Sequence, residues 1–597
     1  DPEGGLTQFD PNGGVIPFAN TFNFNPFNLF LVPQKKWTAT AIGTYDLTDN
    51  VGVFSRLSFA NNRVDTIIAP SGTFFESFNL AVDNPFFGPA SVARFTQVDA
   101  NESNAATRGD GRVDLLLGRR LVEIGTRDSI YENTAFQVVG GLKGDWGDQR
   151  WEVFGQFGRT SRNQVFKNDI ALATTQQALD VVRDPVTNEI VCADPSGGCV
   201  PANLFGAGNL SQAGADFLRL DLNEVNKTNQ TIFGASISGD IPISLPSANP
   251  IGYAAGVEYR REDGAHLPDG NFASGNAIGF GASSPVDAEI EIKEVFLETL
   301  IPILTDVPGA QMLALEAGVR VADYENTATF STGTVGSDFN NTSWKAGLTW
   351  TPVEGYRVRA MFQRAVRAPT LNEIGLPRTP STGDLDNDPC EGSNPVGDAA
   401  LTQLCIDTGV PAAAIGNVVS IIAGQINNFV GGNPTLRPEE ADTLTVGIVI
   451  TPEQLPNLVA TLDWYSIEID DVVSQISEQN IVDACYFVEQ DANGTFCSLI
   501  SRNQINGGLT GPKAFGVDVS LINAAVLKFE GIDFSLKYAW DIGDGTLDLG
   551  LNGTYVLTKE RQDASFLPID ECAGLIGNTC VDPGAEMRWV QTTNWLM

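Results

Sequence analysis

One histidine, His266, stands in the whole chain. That scarcity argues against the usual His-dependent catalytic triads and histidine-rich metal centres. Neither a nucleophile elbow nor a phosphate-binding loop occurs, and Gly279, Phe280, Gly281 lacks the third glycine of a dinucleotide fingerprint. Asp384, Asp386 and Asp388 have calcium-loop spacing for three positions, but Pro389 and Cys390 follow where a glycine is needed. Positive charge is also short: 36 Lys and Arg oppose 73 Asp and Glu, a formal net charge of -37. A chain so negative repels phosphate backbones, which excludes nucleic acid as a partner. The acidic residues concentrate in connecting segments, where they read as a solvated surface. Long hydrophobic runs are missing as well, since no segment reaches the roughly 18 apolar residues of a membrane helix. A membrane barrel exposes only alternate residues to lipid, so this last absence leaves that class open.

What the chain does have is alternation. Trp344, Ala346, Leu348 and Trp350 alternate with Lys345, Gly347 and Thr349; Thr351 to Gly355 turn the chain; Tyr356, Val358, Ala360 and Phe362 then alternate with Arg357, Arg359, Met361 and Gln363. Successive strand residues point to opposite faces, so this is a hairpin with one apolar and one polar face. Trp and Tyr near the turn occupy the place of rings at a membrane surface. The same pattern recurs at Phe136–Leu142, Leu444–Ile450, Ile532–Trp540 and Leu547–Tyr555. Arg357, Arg359, Gln363 and Lys345 fall on the polar face and are candidates to line a lumen, where positive groups attract anionic solutes or pair with carboxylates. A soluble barrel keeps its apolar side chains inside, so a large sheet with a polar interior points to an all-β, transmembrane antiparallel barrel.

The eight cysteines fall as close couples within single connections: Cys192 with Cys199, Cys390 with Cys405, Cys485 with Cys497, and Cys572 with Cys580. Local loops closed by disulfides imply an oxidising compartment. Zinc is the competing reading, and it is weak because no couple has two-residue spacing and His266 is beside none of them.

Short turns and long connections alternate along the chain. Long ones are expected near 63–127, 167–219, 264–286, 323–338, 369–438, 474–520 and 559–583, and short ones near 46–50, 145–148, 242–249, 303–310, 351–355, 451–456 and 541–545. Long loops belong outside the cell and short turns in the periplasm. Arg112–Arg127 is assigned to an extracellular extension and Ile170–Val182 to a loop helix. Between Trp464 and Ile467 the apolar register switches, which a bulge or a strand continuing beyond the bilayer would explain. The count is about 15 strands, an odd number where bacterial barrels close with an even one.

Arg364, Ala365, Val366, Arg367, Ala368 and Pro369, followed by Gly432, Asn433, Pro434, Thr435, Leu436, Arg437, Pro438 and Glu439, resemble the TonB-dependent outer-membrane receptors. Gly256–Arg260 resembles that family's Gly-x-Glu-x-Arg strand, and Gly531, Ile532, Asp533 its Gly-hydrophobic-Asp strand. In the family the first segment closes one strand and the Asn-Pro-x-Leu-x-Pro-Glu segment opens the next; Pro434 and Pro438 cannot donate to a ladder, and Asn433 favours a turn. The resemblance implies a barrel of about 22 strands, of which about seven are absent, leaving an incomplete barrel with an open seam between the strand near Trp37 and that near Trp589 and Val590. It implies one partial barrel domain over 1–597, with the family's plug and TonB box outside this chain.

The resemblance further implies a Gram-negative outer membrane, outer-membrane lipid and the TonB complex as partners, and a small or oligomeric ligand such as a carbohydrate, siderophore, cobalamin or peptide. No catalytic residue, metal or cofactor is called for. Active uptake through TonB is the leading reading. A passive pore or adhesin, or a soluble extracellular β-rich binding protein or enzyme, remains open. Loop aromatics Phe74, Phe75, Phe86 and Phe87 either contact a ligand or pack the loops together.

Overall fold

The computed structural model describes residues 7–19, 21–102, 106–245, 249–419, 424–511, 514–564, 567–576, 580 and 584–596. Sixteen strands join in one sheet; apart from the two-residue Asp570–Glu571, they are fifteen long antiparallel strands. In chain order these are β1 (Gln34–Thr48), β2 (Val51–Ile68), β3 (Arg127–Trp146), β4 (Gln149–Ile170) and β5 (Arg219–Ser244). Next come β6 (Pro250–Pro268), β7 (Val286–Val307), β8 (Ala310–Phe330), β9 (Gly333–Val353) and β10 (Tyr356–Arg367). The set ends with β11 (Glu439–Ile450), β12 (Leu458–Ser474), β13 (Ile522–Ile542), β14 (Gly545–Gln562) and β15 (Met587–Leu596). Each pairs with its sequence neighbours. Among the described residues no pairing joins β1 to β15.

Reading across the ladder shows why these sequences make this sheet. One row runs Ile301, Leu315, Leu348, Ala360, Val446, Trp464, Ile532, Tyr555, Met587. Two residues along lies a second, with Leu313, Trp350, Val358, Ile448, Leu462, Phe534, Gly553 and Trp589. No charge enters either row. The row between them points to the other face and reads Ala314, Thr349, Arg359, Gly447, Asp463, Asp533, Thr554, Arg588. Register fixes the faces, because a slip of one residue would exchange them. Near the short turns the bracketing rings are anchored: the Trp350 indole N–H donates to Gly309 O at 2.9 Å, as an interfacial Trp does. Gly355, at φ 84°, supplies the left-handed residue of the β9–β10 turn.

Most of the expected connections are found within a few residues, with one correction. The stretch 323–338 is no loop: β8 and β9 stay paired from Met312↔Thr351 to Phe330↔Gly333, leaving two residues to turn. Alternation with Tyr324, Ala328, Val335 and Phe339 sustains the ladder through this polar stretch, and Tyr324 stacks on Phe339 at 4.9 Å. The apolar switch near Trp464 likewise has no bulge. β12 and β13 stay in register from Leu458↔Tyr538 to Ile469↔Leu527 and shift only beyond Ile469, so the strand continues with its polarity changed.

The long connections fold into two lobes. In the first, 69–126 and 171–218 carry Arg112–Leu117 paired with Glu76–Ala81 and the helices Pro89–Ala100, Leu172–Leu179 and Gln212–Leu218. Phe9, Phe87, Phe95 and Phe205 form its aromatic centre, with Phe9–Phe205 and Phe87–Phe205 ring centroids 4.9 and 4.8 Å apart. Burying each such ring is worth about 1.5–3 kcal/mol. In the second, 368–438 and 475–521 share a four-stranded sheet of Thr379–Asp384, Gln425–Val430, Gly516–Asp518 and Ile500–Ser501. All four cysteine couples are disulfides: Cys192–Cys199 in the first lobe, Cys390–Cys405 and Cys485–Cys497 in the second, and Cys572–Cys580 between β14 and β15, with Cα separations of 6.2, 5.7, 4.7 and 5.4 Å.

Candidate functional site

The segments Arg364–Pro369 and Gly432–Glu439 meet where β10 ends and β11 begins. Arg367, last in β10, pairs with Glu439, first in β11. Its Nε donates to Glu439 Oε2 at 2.6 Å, and its Nη1 and Nη2 donate to the two Glu373 oxygens at 3.0 Å. Glu373 also closes a capping box with Thr370 at the start of Leu371–Gly375. Glu439 accepts a further bond from Val473 N on β12 at 2.8 Å. Pro369 is buried; it lacks an N–H and so ends the ladder. Asn433 Oδ1 accepts from Thr435 N at 2.9 Å while its Nδ2 donates to Leu521 O at 3.1 Å. Leu436 is buried, Pro434 O accepts from Ser337 Oγ of β9 at 3.0 Å, and Pro438 immediately precedes β11. The motif therefore clamps the second lobe to β9 through β13, a positioning task.

On the polar face the basic residues are mostly paired. Arg359 holds Asp463 through Nε and Nη2 at 2.9 and 2.8 Å, two strands away, and Lys345 reaches Glu316 at 2.7 Å and Glu298 at 3.1 Å. Both long pairs cross a glycine in their row, Gly447 and Gly318 respectively. A Cβ at Gly447 would meet the Asp463 carboxylate, and one at Gly318 would press on the Lys345 and Glu298 side chains. Arg357 and Gln363 share this face, and their side chains make no hydrogen bond or ion pair among the described residues. Arg364 points the opposite way, on the apolar side above Phe362, and pairs with Asp442 at 2.7 and 2.6 Å. Gly447→Ala should displace the Asp463 side chain and lose the Arg359 contact. Because Arg359 is half exposed the expected cost is at most about 1 kcal/mol, and combining it with Asp463→Asn should add almost nothing. A urea series on the four proteins tests this, and additive losses would count against the shared row.

Four residues singled out in the sequence are otherwise engaged. Asp388, third in the calcium-like spacing, is gripped by Arg502 at 2.7 and 2.8 Å. His266 is bonded at Nδ1 to Asn226 Oδ1 (2.7 Å) and at Nε2 to Ser283 Oγ (2.8 Å). Phe86 and Phe87 pack against Phe205. The buried Arg502 group gave no signal in the sequence, because its partners lie 114, 16 and 5 residues away.

A large antiparallel sheet, apolar on one face, charged on the other and carrying long loops at one end, defines an outer-membrane barrel protein. More specifically, the chain belongs to the TonB-dependent receptors: the family described as TonB dependent receptor-like, beta-barrel, matches residues 124–571. Its place is the outer membrane of a Gram-negative bacterium. Solved structures similar to it include the siderophore receptor PirA of Pseudomonas aeruginosa (12% identity, 90% of this chain and 66% of that one, TM-score 0.39). PirA of Acinetobacter baumannii (13%, 94% and 64%, 0.41) and the RagAB peptide transporter (12%, 90% and 48%, 0.43) are others. The chain thus spans about half to two thirds of the length of these structures. No protein of curated function matches the sequence.

Proposed function

We propose that this chain is the barrel part of a receptor for TonB-dependent active uptake of a scarce ligand. The observation that carries the reading is the family match over residues 124–571. In this reading the two loop lobes meet the ligand outside the cell, and the face bearing Lys345, Arg357, Arg359 and Gln363 lines the lumen. A plug and TonB box, outside residues 1–597, couple the receptor to the TonB complex, and no enzymatic step is involved. Siderophores, carbohydrates, cobalamin and peptides are the candidate ligands. The test is uptake of, or growth on, each candidate with and without the full-length gene, in cells with and without TonB. Gene-dependent uptake that vanishes without TonB is expected. Uptake that persists without TonB identifies a passive pore instead.

A further inference from the structure

Two arginines stand close together where the first lobe meets the start of β3, Arg120 in the lobe and Arg127 in the strand. Arg120 and Arg127 flank one ring: their Cζ atoms lie 4.6 and 5.5 Å from the centroid of Phe74. Phe22 closes the far side of Arg120 at 5.7 Å, and Phe280, from the β6–β7 connection, that of Arg127 at 5.5 Å. Each guanidinium donates to one backbone carbonyl, Arg120 Nη1 to Pro70 O at 2.8 Å and Arg127 Nε to Ala69 O at 3.1 Å. Among the described residues neither has a carboxylate within ion-pair distance, whereas the adjacent Arg119 is satisfied by Glu123 at 2.6 Å. Asp169 attracts Arg127 only from further away, and its oxygens accept from Ser71 Oγ and Gly279 N. Burial pulls the Arg120 pKa below its ordinary value, since nothing nearby compensates the charge.

The ring between the two cations is held in an unusual backbone. Phe74 and Phe75 both have left-handed φ, 44° and 63°, in a tight turn closed by Glu76 N to Thr73 O at 2.7 Å. Two consecutive residues with positive φ make a turn that favours Asn and Gly, and phenylalanine there is strained. Stitching to the neighbouring segment keeps it in place: Thr73 N donates to Arg119 O, Phe75 N to Leu117 O and Leu121 N to Ser71 O, at 3.0, 3.0 and 2.9 Å. Strain over-determined in this way aims Phe74 between the arginines.

From this arrangement we infer that Arg120 and Arg127, with Phe22, Phe74 and Phe280, form a binding site for a carboxylate carried on an aromatic ring. Guanidinium N–H edges left without acceptors match a carboxylate two by two, and the half-buried rings of Phe74 and Phe280 with the exposed ring of Phe22 offer an apolar wall to the body of the ligand. The inference gives a chemical class to the ligand of the uptake reading and rests on that reading for its role; binding is measured apart from transport, so either can fail alone.

The test titrates the full-length protein in detergent micelles with para-fluorobenzoate, followed by fluorine NMR. Binding is expected, with displacement by benzoate and none by benzyl alcohol. Arg120→Met and Arg127→Met should each weaken it by about ten- to hundred-fold, the worth of a hydrogen bond between charged groups, and Arg120→Lys by less. If the Met variants misfold, the wild-type competition still decides the matter. Absence of binding to the wild type, equal displacement by benzyl alcohol, or unchanged affinity in folded Met variants would overturn the site.

Discussion

Replacing Arg502 by Met should destabilise the second lobe by about 3–5 kcal/mol, the cost of leaving a buried carboxylate without its partner. Arg502 and Asp388 are 0% and 2% exposed at their side chains. The guanidinium forks onto Asp388 at 2.7 and 2.8 Å, donates to the Tyr486 hydroxyl at 3.1 and 3.2 Å and to Gly507 O at 3.1 Å, and Tyr486 in turn bonds Thr408 at 2.6 Å. Burial opposes its charge, but Asp388 and Tyr486 outweigh that and hold its pKa above the ordinary value. The group joins the end of Ala399–Asp407, the Ala484–Glu489 helix and the strand at Ile500–Ser501 between the disulfides Cys390–Cys405 and Cys485–Cys497. Hydrogen exchange over residues 385–419 and 475–511 in the full-length protein reads the loss. The double variant Arg502→Met with Asp388→Leu should regain most of it, because no charge is then buried. A double variant as unstable as the sum of its singles would show that the pair is not acting as a unit.

Arginine at Val446 is expected to cost roughly 2–4 kcal/mol in lipid, and arginine at Thr445 almost nothing. Val446 lies in the uncharged row between Ala360 and Trp464, midway along the apolar stretch from Leu444 to Ile450. Thr445 is in the opposite set, between Met361 and Tyr465. Urea unfolding of the refolded protein in bilayers measures both, and equal losses at the two positions would refute the assignment of lipid to the apolar face.

Much of this architecture is legible in the chain because a strand has period two. Trp344 to Trp350 and Tyr356 to Phe362 announce their faces locally, and Gly355 marks the turn between them. The four disulfides were legible for a related reason, since partners 7 to 15 residues apart belong to one loop. Period two says less where both faces turn polar above the bilayer, as in 323–338, where only the pairing of β8 with β9 distinguishes strand from loop. Arg367, Pro369, Asn433 and Glu439 stood out as a motif, yet what Arg367 holds required seeing Glu373 and Glu439 converge on it from opposite ends of a long connection.

The sequence by itself determined the antiparallel class, the polarity of the two faces and the turn and loop ends, all of which follow from spacing along one chain, and its motif residues carried the resemblance to a family. Tertiary structure alone decided which charges meet. Arg359 finds Asp463 across Gly447, 104 residues on. Arg502 finds Asp388 inside a core built from two separate connections. Arg120 and Arg127 share Phe74 with no carboxylate at ion-pair distance among the described residues. The energy of an ion pair or a guanidinium–ring contact depends on a few ångströms of separation and on the water excluded around it, and neither quantity is fixed until distant segments pack.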